Sequence, residues 1–315
     1  MELKTNFPEQ FYKEESREIK IDGEKKRLWA VLLDLLLEFD RVCKENGIKY
    51  MVDGGTLLGA ARHGGFIPWD DDIDVIMLRE EYEKLNKIAS DKFKAPYFWQ
   101  TYKTDRDHGR GFARLRNGST TYIPRFEMIG NKFAYSHNQG VLIDVFICDN
   151  VPEDISTRKR FFNRLNHFLS TAWCMRMQNT QRWSLGIITR LPEFVRKVCA
   201  DVSRKVFRYD IVSKNLYRLD IEAQRYDCEN TKLVSHLTFC PVWGNRQCIL
   251  FPRYILDDLG EVEFEGYKFP ATRHIDEYLS IVYGNWRKHV VASNTPGGIF
   301  IDLDKSYKEY IGKEH

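Results

Sequence analysis

Apolar residues at helical spacing predict a long amphipathic helix near the start of the chain, over residues 25–46. Gly47 follows its last turn and suits the left-handed residue that often ends a helix. The elements expected after it are a strand over 48–53, a short helix from its N-cap Thr56 through Ala61, a strand over 72–78, a helix over 79–89, and strands over 97–102, 112–116 and 141–148. This order indicates an α+β or α/β core.

The pattern changes after Pro152, where a basic segment begins. Between Arg158 and Arg218 there are fourteen Lys and Arg residues but three Asp and Glu residues. Helical periodicity predicts one apolar face here, formed by Phe161, Phe162, Leu165, Phe168 and Leu169. Short elements return after Cys228, with a helix near 274–283. We therefore expect a helical, basic insertion in the fold.

The composition is that of a folded domain. The 315 residues are 43% hydrophobic and 14% aromatic, which is enough apolar surface to offset the entropy of ordering the chain. The 48 basic and 45 acidic residues nearly cancel, so the net charge of +3 does not identify a partner. No apolar run reaches the ~20 residues that span a bilayer, and the first residues are polar, so we expect a cytoplasmic protein. The seven cysteines are scattered without a CxxC pair, which indicates neither a zinc site nor a disulfide framework.

The densest chemical signal is the segment Asp70-Asp71-Asp72-Ile73-Asp74. Its four carboxylates repel one another and stand beside apolar residues, so a bound cation is expected to neutralise them. On a strand, Asp72 and Asp74 would share one face, with Cα atoms about 6.5–7 Å apart. Both carboxylates could then reach one Mg²⁺ or a pair of them.

Three other kinds of segment carry similar acidic runs. A solvated acidic loop is common, but this run enters an apolar strand. The Asp-x-Asp of glycosyltransferases that use nucleotide sugars is satisfied by Asp72-Ile73-Asp74 and stays an alternative. An EF-hand is excluded, because Val75 stands where its loop requires glycine.

Upstream, the pair Gly54-Gly55 separates a strand from a short helix. Such a pair lets backbone N–H groups approach a phosphate closely, and the helix N-terminus adds favourable partial charge. Arg62 and His63 follow one or two turns later and could contribute to the same anion site. An ordinary turn is the alternative.

Asp144 stands in the middle of the apolar run VLIDVFIC. A buried charge is costly unless it is paired or bound to a metal. Asp144 is therefore an ion-pair partner of Arg114 or Arg116, a ligand of a second metal, or a base for an attacking hydroxyl. Alternation in the segment ARLR places the two arginines on one strand face, where they could clamp phosphate oxygens or pair with the carboxylates.

The segments from Gly54 to His63 and from Gly65 to Asp74 resemble the signature of the LicD family, which is related to fukutin and belongs to the nucleotidyltransferase-fold superfamily. Further regions that agree are Gly140 to Phe146, Phe264-Glu265-Gly266, Tyr278-Leu279 and Tyr283-Gly284. The resemblance implies an α+β fold with a nucleotidyltransferase-like mixed sheet flanked by helices. We divide the chain into an N-terminal tail (1–24), a nucleotidyltransferase-like catalytic core (25–155), the basic, mostly helical insertion (156–240) and a C-terminal segment (241–315) that packs on the core and completes the substrate site.

The resemblance also implies an activity. Proteins of this family transfer a phospho-alcohol such as phosphocholine from a CDP-linked donor to a sugar hydroxyl of a cell-surface glycan (lipopolysaccharide, capsule or teichoic acid) or of its lipid-linked precursor. The cofactor would be Mg²⁺ or Mn²⁺. The implied metal ligands and catalytic residues are Asp72, Asp74 and Asp144. The implied substrate-binding residues are Gly54, Gly55, Thr56, Arg62, His63, Trp69, Arg114 and Arg116. A family member that binds nucleotide without catalysis is a further alternative.

The basic segment and several aromatic residues indicate which partners the protein could bind. Aromatic residues lie between its charges: Trp173, Trp183, Phe194, Phe207 and Tyr209. This combination favours peripheral contact with an anionic membrane at its inner face, or with a lipid-linked glycan, and solvated helix faces are the alternative. No nucleic-acid-binding module accompanies the charge, so no nucleic-acid partner is expected. Trp69, Tyr122 and Phe126 are candidates for stacking on the cytosine of the donor.

Overall fold

The computed structural model describes residues 2–105, 108–125, 128–129, 132–133, 137–176, 211–229, 231–239, 242–243, 246–247, 249–290 and 298–311. The helices of these parts are α1 (Gly23–Glu45), α2 (Gly54–His63), α3 (Arg79–Lys92), α4 (Ile155–Arg176), α5 (Ile211–Ala223), α6 (Tyr254–Asp257) and α7 (Ile275–Tyr283). The strands are β1 (Glu15–Ser16), β2 (Lys20–Ile21), β3 (Met51–Val52), β4 (Asp74–Leu78), β5 (Tyr97–Gln100), β6 (Ala113–Asn117), β7 (Thr121–Pro124), β8 (Met128–Ile129), β9 (Lys132–Phe133), β10 (Val141–Val151), β11 (Leu233–Ser235), β12 (Val242–Trp243), β13 (Arg246–Gln247), β14 (Phe251–Pro252), β15 (Leu259–Phe264), β16 (Tyr267–Thr272) and β17 (Ile299–Asp302).

A mixed seven-stranded sheet is the centre of the fold. Its order is β14-β11-β10-β4-β3, with β6 paired to β10 and β5 paired to β6. Strand β10 runs parallel to β4 and antiparallel to β6, and its last residues pair with β11. In this register Asp144 lies opposite Asp74 on one side and opposite Arg114 on the other. The α+β architecture expected from the sequence is confirmed, and its register brings three charged residues side by side.

Helix α1 covers the sheet with a fully buried apolar stripe that includes Trp29, Leu32 and Phe39. The helix begins at Gly23 because the Asp22 side chain accepts a hydrogen bond from the N–H of Lys25 and so caps it. Residues 2–22, expected as a tail, pack against this helix. The N–H groups of Lys4 and Thr5 both donate to Asp34 Oδ1, at 3.1 and 2.8 Å.

A second apolar cluster joins α4 to α5. Phe161, Leu165 and Leu169 are buried on the predicted face of α4, and Phe162 and Phe168 pack at its margin. The cluster is linked to the sheet through Arg79, which donates to Asp149 Oδ1 at 2.6 Å and to Asp220 Oδ1 at 2.8 Å. Residues 177–210, which carry much of the basic segment, lie outside the described residues.

None of the helices that the structure describes combines the length and the apolar character needed to cross a membrane.

Several predicted element boundaries are wrong, and the contacts explain why. Helix α2 begins at Gly54 with Asp53 as its N-cap, so Thr56 is not the N-cap. Its hydroxyl instead accepts a hydrogen bond from the N–H of Asp74 at 2.9 Å. The predicted strand over 48–53 shortens to β3. The predicted strand over 72–78 begins only at Asp74, and β10 continues to Val151 because its end pairs with β11. Helix α3 extends three residues beyond the predicted end.

Close backbone packing of α2 predicts that Gly59→Ala destabilises the protein. A Cβ atom at this position would overlap the carbonyl oxygen of Gly65 and lie 3.3 Å from the backbone nitrogen of Ile67. The expected loss in the free energy of unfolding is about 1–3 kcal/mol, measured by denaturant titration. The matched control is Gly23→Ala, where a Cβ meets nothing within 4 Å. An equal effect of both substitutions would contradict the packing account.

A second stability prediction concerns Asp227. Burial raises its pKa to about 7, with further repulsion from Asp149. Between the ordinary pKa of aspartate and pH 7, the folded state therefore binds more protons than the unfolded state, so stability falls as the pH rises. We expect Asp227→Asn to stabilise the protein at pH 8 by about 1–2 kcal/mol, because the side chain is only half-buried, and to have little effect at pH 4.

Thermal unfolding of the Asp227→Asn variant across this pH range measures the effect. The control is Asp91→Asn, which removes the same charge from a side chain that is 91% exposed. A gain in stability that does not depend on pH, or an equal gain in Asp91→Asn, would show that the raised pKa of Asp227 is not the cause of the stabilisation.

Candidate active site

The N-terminus of α2 lies directly against two carboxylates of the acidic segment. A Cβ atom at Gly54 would lie 2.8 Å from Asp74 Oδ2, and one at Gly55 would lie 2.5 Å from Asp70 Oδ2. Gly54 also has a φ of +51°, which disfavours other residues. The glycine pair is therefore required by the close approach of two acidic side chains to the first turn of the helix.

The acidic side chains gather into one cluster, which we call the acidic cluster and in which Asp70 is buried and the others are half-buried: Asp70, Asp71, Asp72, Asp74 and Asp144. Carboxylate oxygens of its first three members lie within 4.8 Å of one another. Burial raises the pKa of Asp72 and of Asp74 well above the usual range. The charge of Asp74 adds to the rise at Asp72, and the charge of Asp144 adds to the rise at Asp74. The surrounding fold therefore holds these side chains close together although their charged forms repel one another.

Lys25 and Arg114 are cationic side chains that act on this cluster. Lys25 faces Asp70, Asp71 and Asp72, although burial lowers its own pKa and works against its charge. Arg114 Nε donates to Asp144 Oδ1 at 2.6 Å. These two charges do not balance five carboxyl groups, which agrees with the raised pKa values of Asp72 and Asp74. Hard oxygen ligands around an excess of negative charge fit a cation such as Mg²⁺ or Mn²⁺.

Aromatic and hydrogen-bond contacts hold the loop that carries the cluster. The Trp29 indole donates to the carbonyl oxygen of Asp70 at 3.1 Å, and its ring stacks on Phe66 with centroids 4.7 Å apart. Glu265, at the turn between β15 and β16, accepts a hydrogen bond from the N–H of Phe66 at 3.0 Å. Glu265 has a φ of +50°, an uncommon conformation for a residue other than glycine. The hairpin thus contributes to the placement of the acidic loop.

Asp53, the N-cap of α2, is held by two further side chains. The Tyr278 hydroxyl donates to Asp53 Oδ1, and His236 Nε2 lies 3.4 Å from Asp53 Oδ2. Burial alone would raise the pKa of Asp53, but the contacts with His236 and Tyr278 outweigh it, and the net pKa is lowered. The Asp53 N–H donates to the carbonyl oxygen of Asp74 at 2.9 Å. Asp53 therefore joins α2, β4 and α7 at the edge of the site.

Several predicted site residues meet in this region. The structure brings together Gly54, Gly55, Thr56, Asp72, Asp74, Arg114 and Asp144. Trp69 lines an adjoining cavity of about 420 Å³ together with Lys25 and Asp71. Tyr122 lies at the cluster, where the charges of Asp71 and Asp72 add to the effect of burial in raising its pKa.

Other predicted site residues lie elsewhere. Arg116 donates to Gln100 Oε1 and to the carbonyl oxygen of Gly140, away from the acidic cluster. Arg62 and His63 belong to the last turn of α2, at the end opposite the glycine pair. Burial lowers the pKa of His63, and the nearby Arg62 adds to this effect. The aromatic residues Phe126, Trp183, Phe194, Phe207 and Tyr209, and the side chain of Trp173, lie outside the described residues.

Sequence reasoning missed four residues of the site: Lys25, Asp53, His236 and Tyr283. Desolvation raises the pKa of Tyr283, and the charges of Asp53 and Asp74 add to the rise. The agreement of Tyr283-Gly284 with the family signature was the one sequence signal that could have identified Tyr283. Lys25 comes from α1 and His236 from the loop after β11, and neither stands within a recognisable local motif.

Comparison with known proteins finds similarity in the part of the chain that forms this site. Residues 47–167 match the family described as LicD/FKTN/FKRP, nucleotidyltransferase domain. The chain is 27% identical over 265 residues to lipopolysaccharide cholinephosphotransferase LicD of Haemophilus influenzae, covering 82% of this chain and 89% of that protein. It is 50% identical over 40 residues to human ribitol 5-phosphate transferase FKRP, covering 13% of this chain and 8% of that protein. The matched region contains α2, the acidic loop, β4 and β10. Over residues 47–167 the chain is therefore similar to the nucleotidyltransferase domain of the LicD/FKTN/FKRP family.

Proposed function

We propose that the protein transfers a phosphorylated small alcohol from a CDP-linked donor to a sugar hydroxyl, in a reaction that requires Mg²⁺ or Mn²⁺. The observation that carries the proposal is the convergence of Asp70, Asp72, Asp74 and Asp144 near the N-terminus of α2. These carboxylates would repel a diphosphate unless a dication stood between them. A helix N-terminus beside a dication site is an arrangement suited to phosphoryl transfer.

The names of the relatives support this class of reaction. One is called a lipopolysaccharide cholinephosphotransferase and the other a ribitol 5-phosphate transferase. Both names describe the transfer of a phosphate that carries a small alcohol, so we propose the same class for this chain. The CDP carrier and the acceptor, a cell-surface glycan or its lipid-linked precursor, follow from the family resemblance and belong to the proposal.

The proposed reaction exchanges one phosphorus–oxygen bond for another. The acceptor oxygen forms a bond to the β-phosphorus of the donor, and the bond from that phosphorus to the oxygen of CMP breaks. CMP leaves with the electron pair, and the hydroxyl proton passes to Asp144 or to solvent. A dication held by Asp72 and Asp74, with Asp144 completing the site, would neutralise the charge that grows on CMP.

The chain's own residues position the reactants. N–H groups in the first turn of α2 can donate to phosphate oxygens, since a helix leaves its first four N–H groups without intrahelical partners. The glycine pair keeps this turn free of side chains. Arg114 orients the Asp144 carboxylate through its 2.6 Å hydrogen bond, and the loop contacts of Trp29 keep Asp70 at the helix.

Replacing a carboxylate of the acidic cluster tests the proposal. Asp72→Asn and Asp74→Asn should each lower kcat/KM by at least about 100-fold, because each removes a charged ligand of the dication. The metal-free variants should unfold at the same temperature as the wild type or a few degrees higher, since each loses one carboxyl group that its neighbours repel. Added Mg²⁺ should raise the unfolding temperature of the wild type more than that of the variants.

Asp91→Asn is the matched control for these variants and should keep both activity and the response to Mg²⁺. A well-folded Asp72→Asn variant with most of its activity would contradict the proposed site.

The donor class is tested with CDP-choline, CDP-glycerol, CDP-ribitol and CDP-ethanolamine. Release of CMP that depends on an added glycan acceptor is the expected result with at least one of them. Release of CDP or UDP from nucleotide sugars would instead favour a glycosyltransferase. Calorimetric binding of a CDP-alcohol without turnover of any donor would favour a nucleotide-binding protein without catalysis.

A further inference from the structure

A second cluster of metal-ligating side chains lies at the other end of α2. It consists of Glu18, His63 and His289, whose ligand atoms all lie within 4.8 Å of one another. Glu18 belongs to the turn between β1 and β2, His63 is the last residue of α2, and His289 follows α7. Because α2 has ten residues, its length of about 15 Å separates this cluster from the glycine pair.

The spacing of these ligand atoms suits a tetrahedral metal ion. His63 Nε2 lies 3.3 Å from Glu18 Oε1, and His289 Nδ1 lies 3.5 Å from the same oxygen. Zinc binds imidazole nitrogen and carboxylate oxygen at ~2.0–2.2 Å, so tetrahedral geometry separates neighbouring ligands by about 3.3–3.5 Å. Both distances are long for a hydrogen bond but match ligands that surround a common ion.

The fold holds the His63 ring in place before any ion binds. Its side chain is only 8% exposed, and its Nε2 is directed at Glu18 Oε1, so the nitrogen that would bind the ion already faces the carboxylate. His289 and Glu18 are exposed, which gives an ion a path from solvent. Of the two arginines that face His63, Arg17 lies 3.1 Å from Glu15, so its charge is already compensated.

We infer that Glu18, His63 and His289 form a site for a transition-metal dication of the Zn²⁺ class, distinct from the acidic cluster. Two imidazoles and one carboxylate favour Zn²⁺ over Mg²⁺, which prefers oxygen ligands alone. Three protein ligands leave the fourth position to water. The bound ion fastens the β1–β2 hairpin and the segment after α7 to the C-terminal end of α2.

Zinc affinity, measured by competition with a chromophoric chelator, tests this site. The protein is tag-free and carries Cys228→Ser, which removes an exposed thiol that could bind zinc by itself. One equivalent of Zn²⁺ should bind, and His63→Ala, His289→Ala and Glu18→Gln should each weaken its affinity at least about tenfold. His289 and Glu18 are exposed, so their variants keep the fold even if His63→Ala does not.

The matched control is His274→Ala. His274 Nε2 lies 3.1 Å from Asp258 and its Nδ1 lies 4.0 Å from Glu277, so it has carboxylate neighbours like His63 but belongs to no such cluster among the described residues. This variant and Asp72→Asn should keep the wild-type zinc affinity. Zn²⁺ should also slow amide hydrogen exchange over residues 15–21 and 284–290 of the wild type but not of His289→Ala.

Two results would overturn the proposal. One is a wild-type zinc affinity no higher than that of His63→Ala and His289→Ala. The other is zinc binding that Asp72→Asn abolishes while the His289→Ala variant keeps it, which would place the ion at the acidic cluster. Neither result depends on transferase activity.

Discussion

The repulsion among half-buried carboxylates at the start of β4 is the constraint on which the site depends. Asp74 stands in register with Asp144 across a parallel strand pair, and Asp70 and Asp74 both press against the first turn of α2. Such an arrangement is unfavourable without a counter-charge, and Lys25 and Arg114 offset only part of it. A fold that keeps these carboxyl groups close together and half-buried is therefore organised to receive positive charge from outside the chain.

Contacts in the surrounding structure hold the acidic side chains in place against that repulsion. Trp29 stacks on Phe66, which meets Phe264 edge to face, and the Trp29 indole donates a hydrogen bond to the carbonyl oxygen of Asp70 in the acidic loop. Glu265 accepts the N–H of Phe66 from a strained turn. On the other side, Tyr278 and His236 fix Asp53, whose N–H holds the β4 backbone. Contacts from distant segments thus position a few acidic side chains.

Sequence patterns predicted the parts of this arrangement that depend on near neighbours. Helical periodicity located α1 to within two residues, and the acidic segment together with Gly54-Gly55 pointed to the region where the site lies. Thr56 was misjudged as an N-cap because its partner, the Asp74 N–H, is eighteen residues away. The roles of Lys25 and His236 could not be predicted, since only the packing of α1 and of the loop after β11 brings them to the carboxylates. The same limitation hid Glu18 and His289, because a search for paired cysteines does not detect single ligands from three distant segments.

Crystals grown with Mn²⁺ and CDP would test the central claim most directly, through the anomalous scattering of manganese. Our account predicts a manganese peak within bonding distance of Asp72 and Asp74, with the diphosphate between this ion and the first turn of α2. Manganese absent from the acidic cluster while CDP is bound elsewhere would contradict it.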